Sequence, residues 1–86
     1  MSSSHPTDFQ GDILAAIREA VEGAIAGAHC DVSGGNGHYA LVVTSPAFAG
    51  LNMLASQRLV YGAIAHLMKG AAPPIHAVDS LQTKTA

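Results

Sequence analysis

The chain has few of the residues on which common binding and catalytic chemistries depend. Its 86 residues include one cysteine, no tryptophan, two tyrosines and two phenylalanines. One cysteine, Cys30, excludes an intramolecular disulfide and a thiolate zinc or iron–sulfur site built by this chain alone. The basic residues number only four, and they are scattered through a chain of net charge −2. Because phosphate contacts need clustered Lys or Arg, no basic face for nucleic acid is visible.

Long hydrophobic runs are also missing. No apolar stretch approaches the ~20 residues of a membrane span. The opening MSSSHPTDFQ lacks the basic and apolar regions of a signal peptide, so we expect a cytoplasmic protein. The length suits one small domain, which we assign to residues 8–86 after a disordered segment at 1–7.

What the chain does have is periodic apolar patterning. The spacing predicts a helix over 8–26, with Thr7 and Gln10 as a capping box, and helical structure again over 51–69. The second stretch could divide into a short helix at 52–56 and a longer one from Gln57. Alternation predicts strands over 28–33, 38–44 and 75–82, and Pro46 follows the end of the second.

The order of these elements predicts an α+β domain. A strand–helix–strand crossover is right-handed and makes the last strand parallel to its neighbour. The expected result is two layers, a three-stranded mixed sheet covered by helices.

Gly34-Gly35-Asn36-Gly37 is the most distinctive short motif. A phosphate-binding P-loop needs a following Lys and a helix, whereas here His38 and a strand follow. The motif matches the G-x-x-G of KH nucleic-acid clamps, but such a clamp joins two helices near basic residues. Asn-Gly between two strands instead favours a hairpin turn.

Candidate catalytic groups are few. No nucleophile elbow is present, and the strand position of Cys30 favours a small buried hydrophobe over a thiol catalyst. His38 follows the hairpin and His76 enters the last strand. The two histidines could approach each other if both lie at one end of the sheet, but their spacing alone does not establish it.

Four sequence segments, taken in their order along the chain, resemble the BolA family, and the resemblance is closest to its IbaG-like subgroup. They are GHYALVV, a Ser-x-x-Phe-x-Gly element at 45–50, QRLVYGAIAHLM and IHAV, and the match runs from about residue 13 to 85. The resemblance implies a fold similar to class II KH domains, in the order αββααβ.

The resemblance also implies a function. Members act as non-enzymatic adaptors in iron–sulfur cluster trafficking and iron homeostasis, and they share a bridging [2Fe–2S] cluster with a monothiol glutaredoxin that carries a Cys-Gly-Phe-Ser motif, together with glutathione. The family's C-terminal ligand falls on His76, His38 is a candidate second ligand and Cys30 a weaker one. The isolated chain, a monomer or weak homodimer, is expected to hold no cluster.

Two alternatives stay open. Some members are DNA-binding transcriptional regulators, which would place nucleic acid near Gln57 and Arg58. Ser56-Gln57-Arg58 stands here where many members have Arg-His-Arg, so DNA binding would be weak and salt-sensitive. A third interpretation is an interaction domain without metal, in which His76 only stabilises the strand entry. We also expect valine at Gly35 or Gly37 to weaken folding or glutaredoxin binding.

Overall fold

The computed structural model describes residues 12–86. The segment predicted to be disordered, 1–7, and the capping box at Thr7 and Gln10 lie outside this range. In chain order the elements are α1 (Ile13–Ala24), β1 (His29–Gly35), β2 (His38–Thr44), a 3₁₀ turn (Pro46–Phe48), α2 (Met53–Ile64), a second 3₁₀ turn (Ala65–Leu67) and β3 (Ala77–Lys84).

The strands form one mixed sheet in the order β1-β2-β3. β1 and β2 are antiparallel, and β2 and β3 are parallel, as the sequence predicts. Tyr39, Leu41 and Val43 alternate along β2 with more exposed residues and are buried. They join one core cluster with Ile17 of α1 and Val60 of α2, so the helices cover one face of the sheet. The predicted two-layer α+β architecture is confirmed.

The hairpin turn is also confirmed. Gly35 pairs with His38, which leaves Asn36 and Gly37 as a two-residue loop. Their φ angles are 54° and 85°. Positive φ at both loop residues is the geometry that Asn-Gly favours and that matches the twist of the flanking strands. β1 therefore extends two residues beyond its predicted end.

The helix boundaries differ from the prediction. α1 begins at Ile13 rather than near residue 8, because Asp12 has an extended backbone and its carboxylate accepts a hydrogen bond from the N–H of Ala15 at 3.2 Å. α2 is one helix capped by Asn52, so the possible division at Ser56–Gln57 does not occur. The additional helical element is the 3₁₀ turn at Pro46–Phe48, and counting it gives the order αββααβ.

Hydrogen bonds from two buried serine side chains join separate elements of the fold. The buried Ser45 hydroxyl donates to the carbonyl of Ala26 at 2.7 Å, and Ser56 Oγ lies 2.7 Å from Thr83 Oγ1 on β3.

No helix within residues 12–86 is long and apolar enough to cross a membrane.

Candidate functional site

His38 and His76 lie side by side at one end of the sheet. His38 begins β2, and its register partner on β3 is Ala77, the residue after His76. The two ring centroids are 6.3 Å apart and the ring planes meet at 79°. Both histidines are exposed. The parallel pairing of β2 with β3 thus brings together the two residues that sequence spacing alone could not connect.

The backbone of Gly37 holds His76 in place. The Gly37 carbonyl accepts hydrogen bonds from the N–H groups of His76, at 2.8 Å, and Ala77, at 3.0 Å. A Cβ atom on Gly37 would lie 2.6 Å from Cγ and Nδ1 of the His76 ring. The ring therefore rests directly against the hairpin turn, in space that only glycine leaves open.

His38 has a carboxylate partner that the sequence did not suggest. Its Nδ1 lies 3.1 Å from Oδ1 of Asp79 on β3. The side chains are 56% and 58% exposed, so the contact is at the surface. The only feature of the sequence that hints at this contact is the pair of adjacent polar residues Asp79 and Ser80 inside a strand that otherwise alternates.

The two exposed imidazoles are the donor groups that this end of the sheet would offer to a metal, because neutral imidazole is a common metal ligand. Over residues 12–86 no group of three or more His, Cys, Asp or Glu side chains could hold a metal ion. A metal at this pair would need further ligands from outside the described part of the chain.

Cys30 is unsuited to metal binding or catalysis. It is fully buried in β1, and its N–H donates to the Glu22 carboxylate at 3.0 Å. Burial raises the pKa of the thiol from 9.0 to about 11, and the nearby Glu22 carboxylate adds to the rise. Since the thiolate is both the metal ligand and the nucleophile, this position argues against Cys30 as the second ligand.

Cys30 should accordingly resist alkylation. With the pKa of its thiol at about 11, only about one thiol in a thousand is ionised at pH 8. Labelling of the native protein with iodoacetamide at pH 8, followed by mass spectrometry, should be at least ~100-fold slower than labelling in denaturant. Comparable rates in the two conditions would contradict the buried, protonated thiol.

The residues of the DNA-binding alternative are placed differently. Gln57 is half-buried, and its Nε2 donates to the Leu81 carbonyl at 3.3 Å, so this side chain is engaged within the fold. Arg58 is exposed. Within residues 12–86, no helix or strand carries two basic residues: Arg18 is on α1, Arg58 on α2 and Lys84 on β3.

Comparison with known proteins decides the family. The family model for BolA-like proteins matches residues 9–86. The chain belongs to the BolA-like family. This BolA-like chain resembles the solution structure of BolA1 from Mus musculus, with a TM-score of 0.69 and 29% identity over 99% of this chain and 74% of that one.

Two further solved structures are similar. A BolA homologue from Coxiella burnetii has a TM-score of 0.63 and 25% identity, covering 87% of this BolA-like chain and 90% of its own. The XC975 protein has a TM-score of 0.57 and 34% identity, covering 92% of each chain. No curated protein matches significantly. Family and fold are thus confirmed, and the IbaG-like subgroup stays a prediction.

Proposed function

We propose that this BolA-like chain is a non-enzymatic cytoplasmic adaptor in iron–sulfur cluster trafficking and iron homeostasis. It binds a monothiol glutaredoxin of the Cys-Gly-Phe-Ser type and shares a bridging [2Fe–2S] cluster with it. The observation that carries the proposal is the exposed pair His38 and His76, with ring centroids 6.3 Å apart.

The donor set fits such a shared cargo. This chain offers two neighbouring imidazoles and, in Cys30, only a buried protonated thiol. Thiolates from glutaredoxin and glutathione would complete the ligands, so cluster binding by this chain would require the partner. Two histidines on one iron raise the reduction potential, as in Rieske centres.

The exposed His76 ring speaks against a purely structural role. Entry into β3 depends on the hydrogen bond from the His76 backbone N–H to the Gly37 carbonyl, which any residue except proline could donate. The ring rests against Gly37, yet the residue as a whole is exposed. Its imidazole is therefore available to a ligand.

A reconstituted mixture tests the proposal. The protein is combined with a monothiol glutaredoxin, glutathione, iron and sulfide, and visible absorption and circular dichroism are recorded. Wild type should give a cluster spectrum specific to the heterodimer. His76→Ala should lose it, because one of the ligands of the shared iron is removed. His66→Ala provides the matched control, since His66 is also exposed but lies in the second 3₁₀ turn.

An unchanged glutaredoxin spectrum with wild type, together with no complex in gel filtration, would refute the adaptor proposal. DNA binding would then be measured across a salt series with wild type and Arg58→Ala. Equal loss of the spectrum in His76→Ala and His66→Ala would show that His76 is not a specific ligand.

A further inference from the structure

Asp79 occupies an irregular position in β3. Val78 pairs with Tyr39 and Ser80 pairs with Ala40, so Asp79 has no register partner on β2. One extra residue on one strand of a pair is a β-bulge, a feature rare between parallel strands. Bulges occur next to functional sites, where they redirect a side chain.

The bulge changes which side chains face the core. Val78 and Leu81 both pack against the core cluster, although regular alternation would place residues three apart on opposite faces. Asp79 and Ser80 between them are both exposed. Since Val78 faces the core, alternation places the Asp79 carboxylate on the open face, where it meets Nδ1 of His38 at 3.1 Å. The extra residue leaves Ser80 exposed as well and returns Leu81 to the core.

This contact selects one form of the His38 ring. An ionised carboxylate only accepts hydrogen bonds, so a neutral His38 must carry its proton on Nδ1 to be bonded to Asp79. The lone pair is then on Nε2, at the other side of the ring. Carboxylate–histidine pairs orient metal-binding imidazoles in this way and make them better ligands.

We propose that Asp79 is a positioning residue that fixes the tautomer and orientation of His38 so that Nε2 faces the shared cluster. This rests on the proposed function and assigns the second ligand to His38 Nε2. At an exposed site the contact between His38 and Asp79 stabilises the pair only modestly. It strengthens when a docked partner excludes water, because a hydrogen bond is stronger at a low local dielectric.

The tautomer can be measured without any cluster. Long-range ¹H–¹⁵N correlation spectra of the ring nitrogens would be recorded on the isolated protein at about pH 8.5, where an ordinary histidine is neutral. The His38 signals should show the Nδ1–H form in wild type and shift toward the Nε2–H form in Asp79→Ala. Asp31→Ala is the matched control, because Asp31 makes a similar exposed contact to His29, at 3.2 Å.

The cluster is measured in the heterodimer. Asp79→Ala should still acquire it, since both histidines remain, but should lose it to a chelator about 10-fold faster than wild type and Asp31→Ala. If the Asp79→Ala and Asp31→Ala proteins have the same His38 tautomer and the same rate of cluster loss, the positioning role of Asp79 is overturned while the adaptor function stands. If wild type itself acquires no cluster, the adaptor function fails, and the role assigned to Asp79 fails with it.

Discussion

Alanine at Gly37 is expected to displace the His76 ring and disable the site in a protein that remains folded. The added Cβ would lie 2.6 Å from two ring atoms, so the side chain must rotate away from the turn. The φ of 85° also strains any residue with a Cβ, by roughly 1–3 kcal/mol. In the glutaredoxin heterodimer the cluster should be lost to a chelator at least ~10-fold faster than with wild type.

Gly35→Ala is the natural control for that experiment. A Cβ on Gly35 would meet nothing within 4 Å, and Gly35 is not among the glycines with positive φ. The surroundings of Gly35 therefore give no support to the expectation that valine there would weaken folding or glutaredoxin binding. The surroundings of Gly37 do support the same expectation for that position. Equal cluster lifetimes in the Gly37→Ala and Gly35→Ala proteins would contradict the proposed contact between turn and ring.

The largest loss of stability is expected from Gly34→Ala. A Cβ there would lie 2.2 Å from the backbone carbonyl oxygen of His38 and 2.9 Å from Cα of Tyr39, and neither atom can move without breaking the hairpin. The φ of 118° is itself a conformation that essentially only glycine adopts. We expect the free energy of unfolding to fall by roughly 3 kcal/mol or more, a large part of the total for a small domain.

Urea denaturation followed by far-ultraviolet circular dichroism measures this loss. Gly35→Ala should remain within about 0.5 kcal/mol of wild type, as surface substitutions usually do. A Gly34→Ala protein as stable as Gly35→Ala would show that the hairpin can shift its register to accept the methyl group.

Local patterning was enough to predict the order and pairing of the strands. β2 has the predicted bounds because alternation from His38 ends where Ser45 and Pro46 stop the strand, whereas β3 (Ala77–Lys84) begins and ends two residues later than the predicted 75–82. The hairpin follows from Asn36-Gly37, and the parallel pairing of β3 with β2 follows from the helical crossover that joins them. These features depend on short-range chemistry and chain topology, both of which a sequence displays.

The bulge and the contacts at the site could not be predicted in the same way. The partner of His38 lies 41 positions away, next to a one-residue irregularity in the pairing of β3 that no local pattern announces. The predicted start of α1 is too early because Asp12 caps the helix, so that Ile13 is its first residue. The single helix α2 reflects tertiary contacts, since Ser56 is held to Thr83 rather than marking a break.

The parallel crossover has a consequence for when the site exists. Its two imidazoles come from the starts of strands that meet only after α2 has packed and β3 has docked beside β2. Non-local pairing of this kind closes a long loop and forms slowly. A newly made or partly unfolded chain would thus present two separated histidines. Under the proposed function, iron would then be bound only by the completed fold, and undocking of β3 alone would be enough to separate the two ligands.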